Sequence, residues 1–175
     1  KNKLNINDLG YLIGPILNSG GRLHKSNYAV DLLSAKNEKL ITKRSNELVE
    51  LNEKRKKIEN KILGEIDFNK IEKENKNIII IYNPTFNEGL IGIIAARLKD
   101  YFNKPSIVIT KSKDILKASA RSIYGFDIGS IIIGAVQNEL LIKGGGHKMA
   151  AGFTINMDKI NEFKEFIFRK FRSIN

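Results

Sequence analysis

The chain's 175 residues give room for one ordinary domain, or a small domain with a helical extension, and no apolar run approaches the about 18 residues that a membrane-spanning helix needs. With 42% hydrophobic and 28% charged residues the composition is that of a folded chain, and the absence of Cys excludes disulfide scaffolds, thiolate metal sites and cysteine nucleophiles. Thirty Lys and Arg against 19 Asp and Glu leave a net charge of +11, which suits a polyanionic partner but equally follows from a Lys-, Asn- and Ile-rich composition.

Residues 1–35 are short apolar patches broken by glycine: Leu9-Gly10, Ile13-Gly14-Pro15, then Asn18-Ser19-Gly20-Gly21-Arg22. The pattern predicts helical pieces around a tight loop, at the end of a domain that begins before Lys1. Residues 36–66 are predicted to hold one long connecting helix, from about Ala35 to Leu63. Ile41, Leu48, Leu51, Ile58 and Ile62 form a narrow apolar stripe on it, and Glu50–Lys54 and Glu53–Lys57 are i,i+4 pairs of about 0.3 kcal/mol each.

From residue 67 to 175 the chain turns into compact α/β. Ile78 to Tyr82 reads as a buried central strand, and Thr85 with Glu88 as a capping box opening a helix that carries Leu90, Ile91, Ile94 and Leu98 to about Phe102. Strands are predicted over Ser106–Thr110 and Ile115–Ser122, with Asp127 capping a helix through Glu139. A glycine loop, a strand over Gly152–Asn156 and a helix from Asp158 to about Arg172 complete the chain. The order β-α-β-β-α-β-α implies a small mixed sheet covered by helices, an α/β domain preceded by the long helix.

Three segments carry candidate chemistry. In Lys143-Gly144-Gly145-Gly146-His147-Lys148, successive glycines permit backbone angles that let N–H groups converge on an oxyanion, with His147 beside them to donate or exchange a proton. In Lys117-Ala118-Ser119-Ala120-Arg121-Ser122, alternation puts Ser119 and Arg121 on one strand face and small alanines on the other. A guanidinium flanked by Ser119 and Ser122 hydroxyls suits a phosphate clamp. The third, Asn18 to Leu23, is a glycine pair followed by Arg22. Each has a bland counterpart: a flexible turn, an arginine paired at a sheet edge, and a helix-terminal loop. Glu88 reads as a cap and His24 as a surface residue. The seven aspartates stand far apart and there are two histidines, so a two-metal centre cannot be assembled in any obvious way.

Taken together these segments resemble the RecJ family of single-stranded-DNA exonucleases. Ile13-Gly14-Pro15, Asn18 and Gly21-Arg22-Leu23, followed by a long charged helix, are similar to the middle of that family. Glu88-Gly89-Leu90-Ile91-Gly92-Ile93, Ala95-Ala96-Arg97-Leu98, Ser119-Ala120-Arg121-Ser122 and Gly144-Gly145-Gly146-His147 with Met149-Ala150-Ala151-Gly152 are similar to its DHHA1 domain. Ile16, Asn87 and Ser19-Gly20 depart from the family's usual Arg, His and Ala-Ala.

The resemblance implies a two-lobed enzyme removing nucleotides 5′→3′ from single-stranded DNA in repair and recombination. Residues 1–35 would be the tail of the DHH lobe, 36–66 the connecting helix and 67–175 the DHHA1 domain. Mn²⁺ or Mg²⁺ would sit in the DHH lobe upstream, with none bound by this fragment, which would be inactive alone; an OB-fold commonly follows. Asn18, Arg22, Ser119, Arg121 and Ser122 would contact phosphate or the DNA backbone, and Gly144, Gly145, Gly146 and the catalytic His147 would lie at the reacting phosphate. A cytoplasmic protein with no membrane partner is expected. The alternatives are a DHH phosphodiesterase of short RNAs or cyclic dinucleotides, and a non-catalytic nucleic-acid-binding module.

Overall fold

A computed structural model describes residues 4–173. The chain divides into two compact units, residues 1–61 and 62–175.

In the first unit a π-helical segment, Asp8–Ile13, leads into α1 (Gly14–Arg22), with Pro15 in its first turn, where the missing N–H costs nothing. The Asn18–Arg22 stretch expected as a loop is therefore helical. Gly20 is buried there, and only glycine fits, because a Cβ would lie 2.5 Å from the Lys25 carbonyl oxygen and 3.3 Å from Leu48 Cδ2. The turn out of α1 falls at His24, whose φ of 64° is left-handed. After α2 (Asn27–Ser34) comes α3 (Glu38–Glu65), the long helix the sequence foretells.

Ser19 fixes α1 to α3: its Oγ donates to the Leu48 carbonyl at 3.0 Å and to that of Ile16 at 2.6 Å. Arg44 ties α2 to α3, contacting Asp31 and Glu47 at 2.7 Å each and lying 4.1 Å from the Tyr28 ring centroid. The stripe along α3 differs from the expected apolar one. Ile41 is exposed, and the buried residues are Leu48, Asn52, Glu59 and Ile62, so half of that line is polar. Glu53 pairs with Lys56, one residue nearer than expected.

The second unit begins with α4 (Phe68–Glu74) and builds a five-stranded sheet from β1 (Ile79–Tyr82), β2 (Ser106–Ser112), β3 (Ile115–Arg121), β4 (Lys143–His147) and β5 (Ala150–Ile155). Its order is β1-β2-β3-β5-β4, with β1 parallel to β2 and the other pairs antiparallel. The Ile78–Tyr82 run is thus an edge strand and not a central one. A hydrophobic run reports burial on its faces and says nothing of how many neighbours the backbone has.

One sheet face packs under α5 (Ile91–Phe102), which turns Ile91, Ile94, Ala95 and Leu98 inward. The other buries Ile107, Ile109, Leu116, Ala118, Ala120 and Phe153 beneath α6 (Ile128–Gln137) and α7 (Ile160–Arg172). Alternation along β3 is strict, with every second residue buried. Asp127 caps α6 as expected, accepting from the Ser130 N–H at 3.0 Å.

Two local expectations fail. Thr85 does not cap α5: its hydroxyl and N–H both donate to Asn83 Oδ1, at 2.7 and 2.9 Å, and the helix opens at Ile91 with no side-chain cap. The three glycines do not form a loop. They are β4 itself, an extra strand absent from the predicted order, paired antiparallel with β5 through the two-residue turn Lys148–Met149. None of them has a positive φ. Glycine is required at Gly144 for closeness instead: a Cβ would lie 2.7 Å from Ile132 Cγ2 and 2.8 Å from Phe153 Cβ. At Gly146 it would collide with the backbone of Ala150 and Ala151.

Candidate phosphate-binding site

Antiparallel pairing aligns Arg121 with Ala150, and Ala150 with His147. Residues directly opposite one another share a sheet face, so Arg121 and His147 stand on the same face, separated by the width of β5, about 10 Å from strand to strand. The next row back aligns Ser119, Gly152 and Gly145 on that face. The sheet therefore brings together Ser119, Arg121, Gly145 and His147 from two segments that lie far apart in sequence.

On the β3 side, Arg121 Nη1 donates to Ser119 Oγ at 3.1 Å and to the Ala120 carbonyl at 2.8 Å. These bonds fold the guanidinium back along its own strand and under the first turn of α5. A Cβ on Gly92 would lie 3.0 Å from both Arg121 Nη2 and Ser119 Oγ. A cation is ordinarily disfavoured at a helix N-terminus, whose free N–H groups carry partial positive charge. An anion seated between the uncapped α5 start, the guanidinium and the Ser119 hydroxyl would be attracted by all three.

On the β4 side, His147 is exposed, and its Nδ1 accepts from the Met149 N–H at 3.3 Å, so the neutral ring carries its proton on Nε2. Its position is set by the tight turn. Met149 O accepts from the Ser122 N–H at 2.9 Å, Lys148 O from the Ile128 N–H at 3.3 Å, and Gly129 leaves only 2.8 Å between a would-be Cβ and the His147 carbonyl group.

Ser122 lies off this face: it is buried, and its hydroxyl donates to the Phe126 carbonyl at 2.6 Å. Gly144 and Gly146 point their missing side chains to the opposite, packed face. Glu88 pairs with Lys117 at 3.0 Å.

Asn18 and Arg22 belong to the first unit. Asn18 is exposed, while Arg22 is half-buried among polar residues of α3. Arg55 donates to Glu59 at 2.8 Å and to Asn52 Oδ1 at 3.1 Å. Desolvation, then the Arg55 charge, lowers the Arg22 pKa, and Glu59 opposes both. The Asn52-Arg55-Glu59 set escapes a reading of apolar periodicity because it occupies core-facing positions with polar side chains. The signal in the sequence is its i, i+3, i+7 spacing. Gly92 and Gly152 stand in the family-like segments, but nothing local shows their surroundings, because the constraint on one and the openness at the other come from a distant strand.

Hard divalent cations take several oxygen ligands, and the cationic residues here offer none. Among the described residues no group of three or more His, Cys, Asp or Glu is placed to hold a metal, so these residues do not fit Mn²⁺ or Mg²⁺.

Comparison with known proteins agrees with this architecture. The chain is 34% identical to the single-stranded-DNA-specific exonuclease RecJ of Salmonella typhimurium over 93% of its own length and 30% of that protein's. For RecJ of Bacillus subtilis the figures are 31%, 89% and 20%. The chain thus spans about a third or less of these relatives. The crystal structure of Thermus thermophilus RecJ with Mn²⁺ superposes with a TM-score of 0.81 over 93% of this chain and 24% of that one, at 24% identity, which shows a shared fold. Residues 75–173 match the DHHA1 domain, over the α/β unit that carries Ser119, Arg121 and His147, and by that match the chain belongs to the DHHA1 family.

Proposed function

We propose that this chain is part of a RecJ-like 5′→3′ single-stranded-DNA exonuclease, in which it supplies the lobe that grips the nucleic acid by its phosphates. Residues 1–35 then close a preceding DHH lobe, 36–66 connect, and 67–175 form the DHHA1 domain. The observation that carries this reading is the shared face of Arg121 and His147 across Ala150, with the uncapped start of α5 above Arg121.

In this reading Arg121 and the Ser119 hydroxyl seat one phosphate against the first turn of α5. His147 Nε2–H donates to a neighbouring phosphate oxygen and can pass a proton there. Arg22, held beside Arg55, adds a further phosphate contact from the first unit. The divalent metal that would activate water belongs to the DHH lobe in this arrangement, and a cytoplasmic setting and a following OB-fold accompany it by family resemblance.

The test is fluorescence anisotropy of the chain with a 5′-phosphorylated single-stranded oligonucleotide across salt, for wild type and Arg121→Ala. Binding that weakens with salt and drops a further tenfold or so without Arg121 is the expected outcome. Binding indifferent to Arg121 would leave only the nonspecific attraction of the +11 charge.

A further inference from the structure

The sheet has a second edge, β1, at the far side from β4 and so from His147. The Ile79 N–H donates to the Pro105 carbonyl at 2.9 Å and the Asn83 N–H to that of Ile109 at 3.0 Å, so the odd-numbered residues bond toward β2. Alternation turns the N–H and C=O of Ile80 and Tyr82 the other way, where no further strand of the sheet lies. Proteins ordinarily blunt such an edge with Pro or Lys, and Ile79–Tyr82 carries neither.

Open space runs along this edge. A cleft there is lined by Ile71 of α4, by the four successive residues Ile78 to Ile81, and by Lys164 and Phe168 of α7. Successive strand residues point to opposite faces, so a cleft that touches all four lies beside the strand and not over one face. Phe168 also lines a wider cleft before the start of β1, with Lys76, Glu165, Arg169 and Arg172. The two are therefore one groove, largely apolar beside the strand and charged at its start. Glu74 is matched by Lys76 at 2.8 Å. Glu165 then stands among Lys164, Arg169 and Arg172, which leaves positive charge in excess.

We propose that this groove takes an extended, acidic segment of a partner protein, which joins the sheet as a further strand beside β1. Backbone pairing with Ile80 and Tyr82 holds the segment, its apolar side chains fill the space at Ile71 and Phe168, and its carboxylates meet Arg169 and Arg172. A nucleic acid would answer the charge but offers no donors and acceptors at the spacing of a strand. A second copy of the chain would bring the same excess of positive charge. The inference goes beyond the phosphate-binding reading of Arg121 and does not depend on it.

The probe is a fluorescein-labelled peptide of alternating Glu and Val, about eight residues long, titrated into the 175-residue chain. Anisotropy should show saturable binding, and amide exchange followed by NMR should slow at Ile80 and Tyr82 but not at Ile79, which is already bonded to β2. Arg169 and Arg172 are exposed, so the double variant R169E/R172E should melt close to wild type. It should bind the Glu/Val peptide at least about tenfold more weakly and prefer a Lys/Val counterpart, while Arg121→Ala binds the Glu/Val peptide as wild type does. Absence of saturable binding overturns the proposal, as does binding that leaves exchange at Ile80 and Tyr82 unaltered. Two further results would also sink it. If R169E/R172E loses single-stranded oligonucleotide and keeps the peptide, the groove is a nucleic-acid contact. If sedimentation finds a dimer that protects Ile80 and Tyr82 without peptide, the groove belongs to a second copy.

Discussion

Gly92 and Gly144 are both glycines inside regular elements, and the structure assigns them opposite tolerances. A methyl at Gly92 would press on Arg121 Nη2 and Ser119 Oγ at 3.0 Å, which are side-chain ends that can swing away. Gly92→Ala should therefore leave melting unchanged or slightly raised, since alanine favours a helix by up to about 1 kcal/mol over glycine. Nucleic-acid binding should still fall several-fold, because the guanidinium is displaced. Equal binding with an unchanged melting curve would show that Arg121's packing under α5 is irrelevant to it. At Gly144 the obstacles are Ile132 and the Phe153 Cβ, at 2.7 and 2.8 Å, and neither can leave the core. Gly144→Ala should cost about 1–3 kcal/mol in urea unfolding, whereas Gly145→Ala, on the opposite face with nothing within 4 Å of the added methyl, should cost far less.

Among elements, α3 is held by polar contacts that its sequence disguises. Arg55 and Glu59 are nearly buried, with side-chain exposures of 11% and 6%. Replacing Glu59 by Gln strands the Arg55 cation and removes the charge that favours protonated Arg22, so unfolding should become easier by about 3 kcal/mol. A guanidinium-chloride series on E59Q that matches wild type would refute this. The α6 cap gives a pH signature. The Ser130 N–H, chiefly, holds the Asp127 carboxylate pKa below its ordinary 3.8. A depressed carboxylate stabilises the fold above its unfolded pKa and loses that contribution as pH falls through the folded value. The stability gap between wild type and Asp127→Asn should thus be full at neutral pH and close in acid.

That cap, the alternation of β3 and the apolar face of α5 were legible in the sequence because each depends on neighbours within a few residues. The failures share the opposite cause. Whether Ile78–Tyr82 is central or at an edge, and why glycine stands at Gly144, depends on which strands come to lie beside them. Even the capping-box pattern at Thr85 was overridden by Asn83, whose side chain captures both of its donors.

At the scale of the molecule, the three candidate segments are distributed over both units. Arg22 and its polar support lie in one, and Ser119, Arg121 and His147 in the other. No cluster of metal ligands accompanies them among the described residues. The purified chain with Mn²⁺ is accordingly expected to release no nucleotides from labelled single-stranded DNA. Metal-dependent release that persists through repurification, and disappears with His147→Ala, would mean that this chain completes a catalytic centre unaided.

The glycine run of β4 also guards against mispairing. An edge strand of three glycines has little of its own to fix its alignment, and such strands are prone to slide. Here the face turned toward Ile132, Phe153 and Ala151 accepts hydrogen and nothing larger. A shift of one residue would drive the side chains of Lys143 and His147 into that wall and turn the open positions inward. The observed alignment of β4 on β5 escapes this, and it places His147 opposite Ala150, level with Arg121. The bulk missing from the strand works as a key, and what it locks is the placement of His147 level with Arg121.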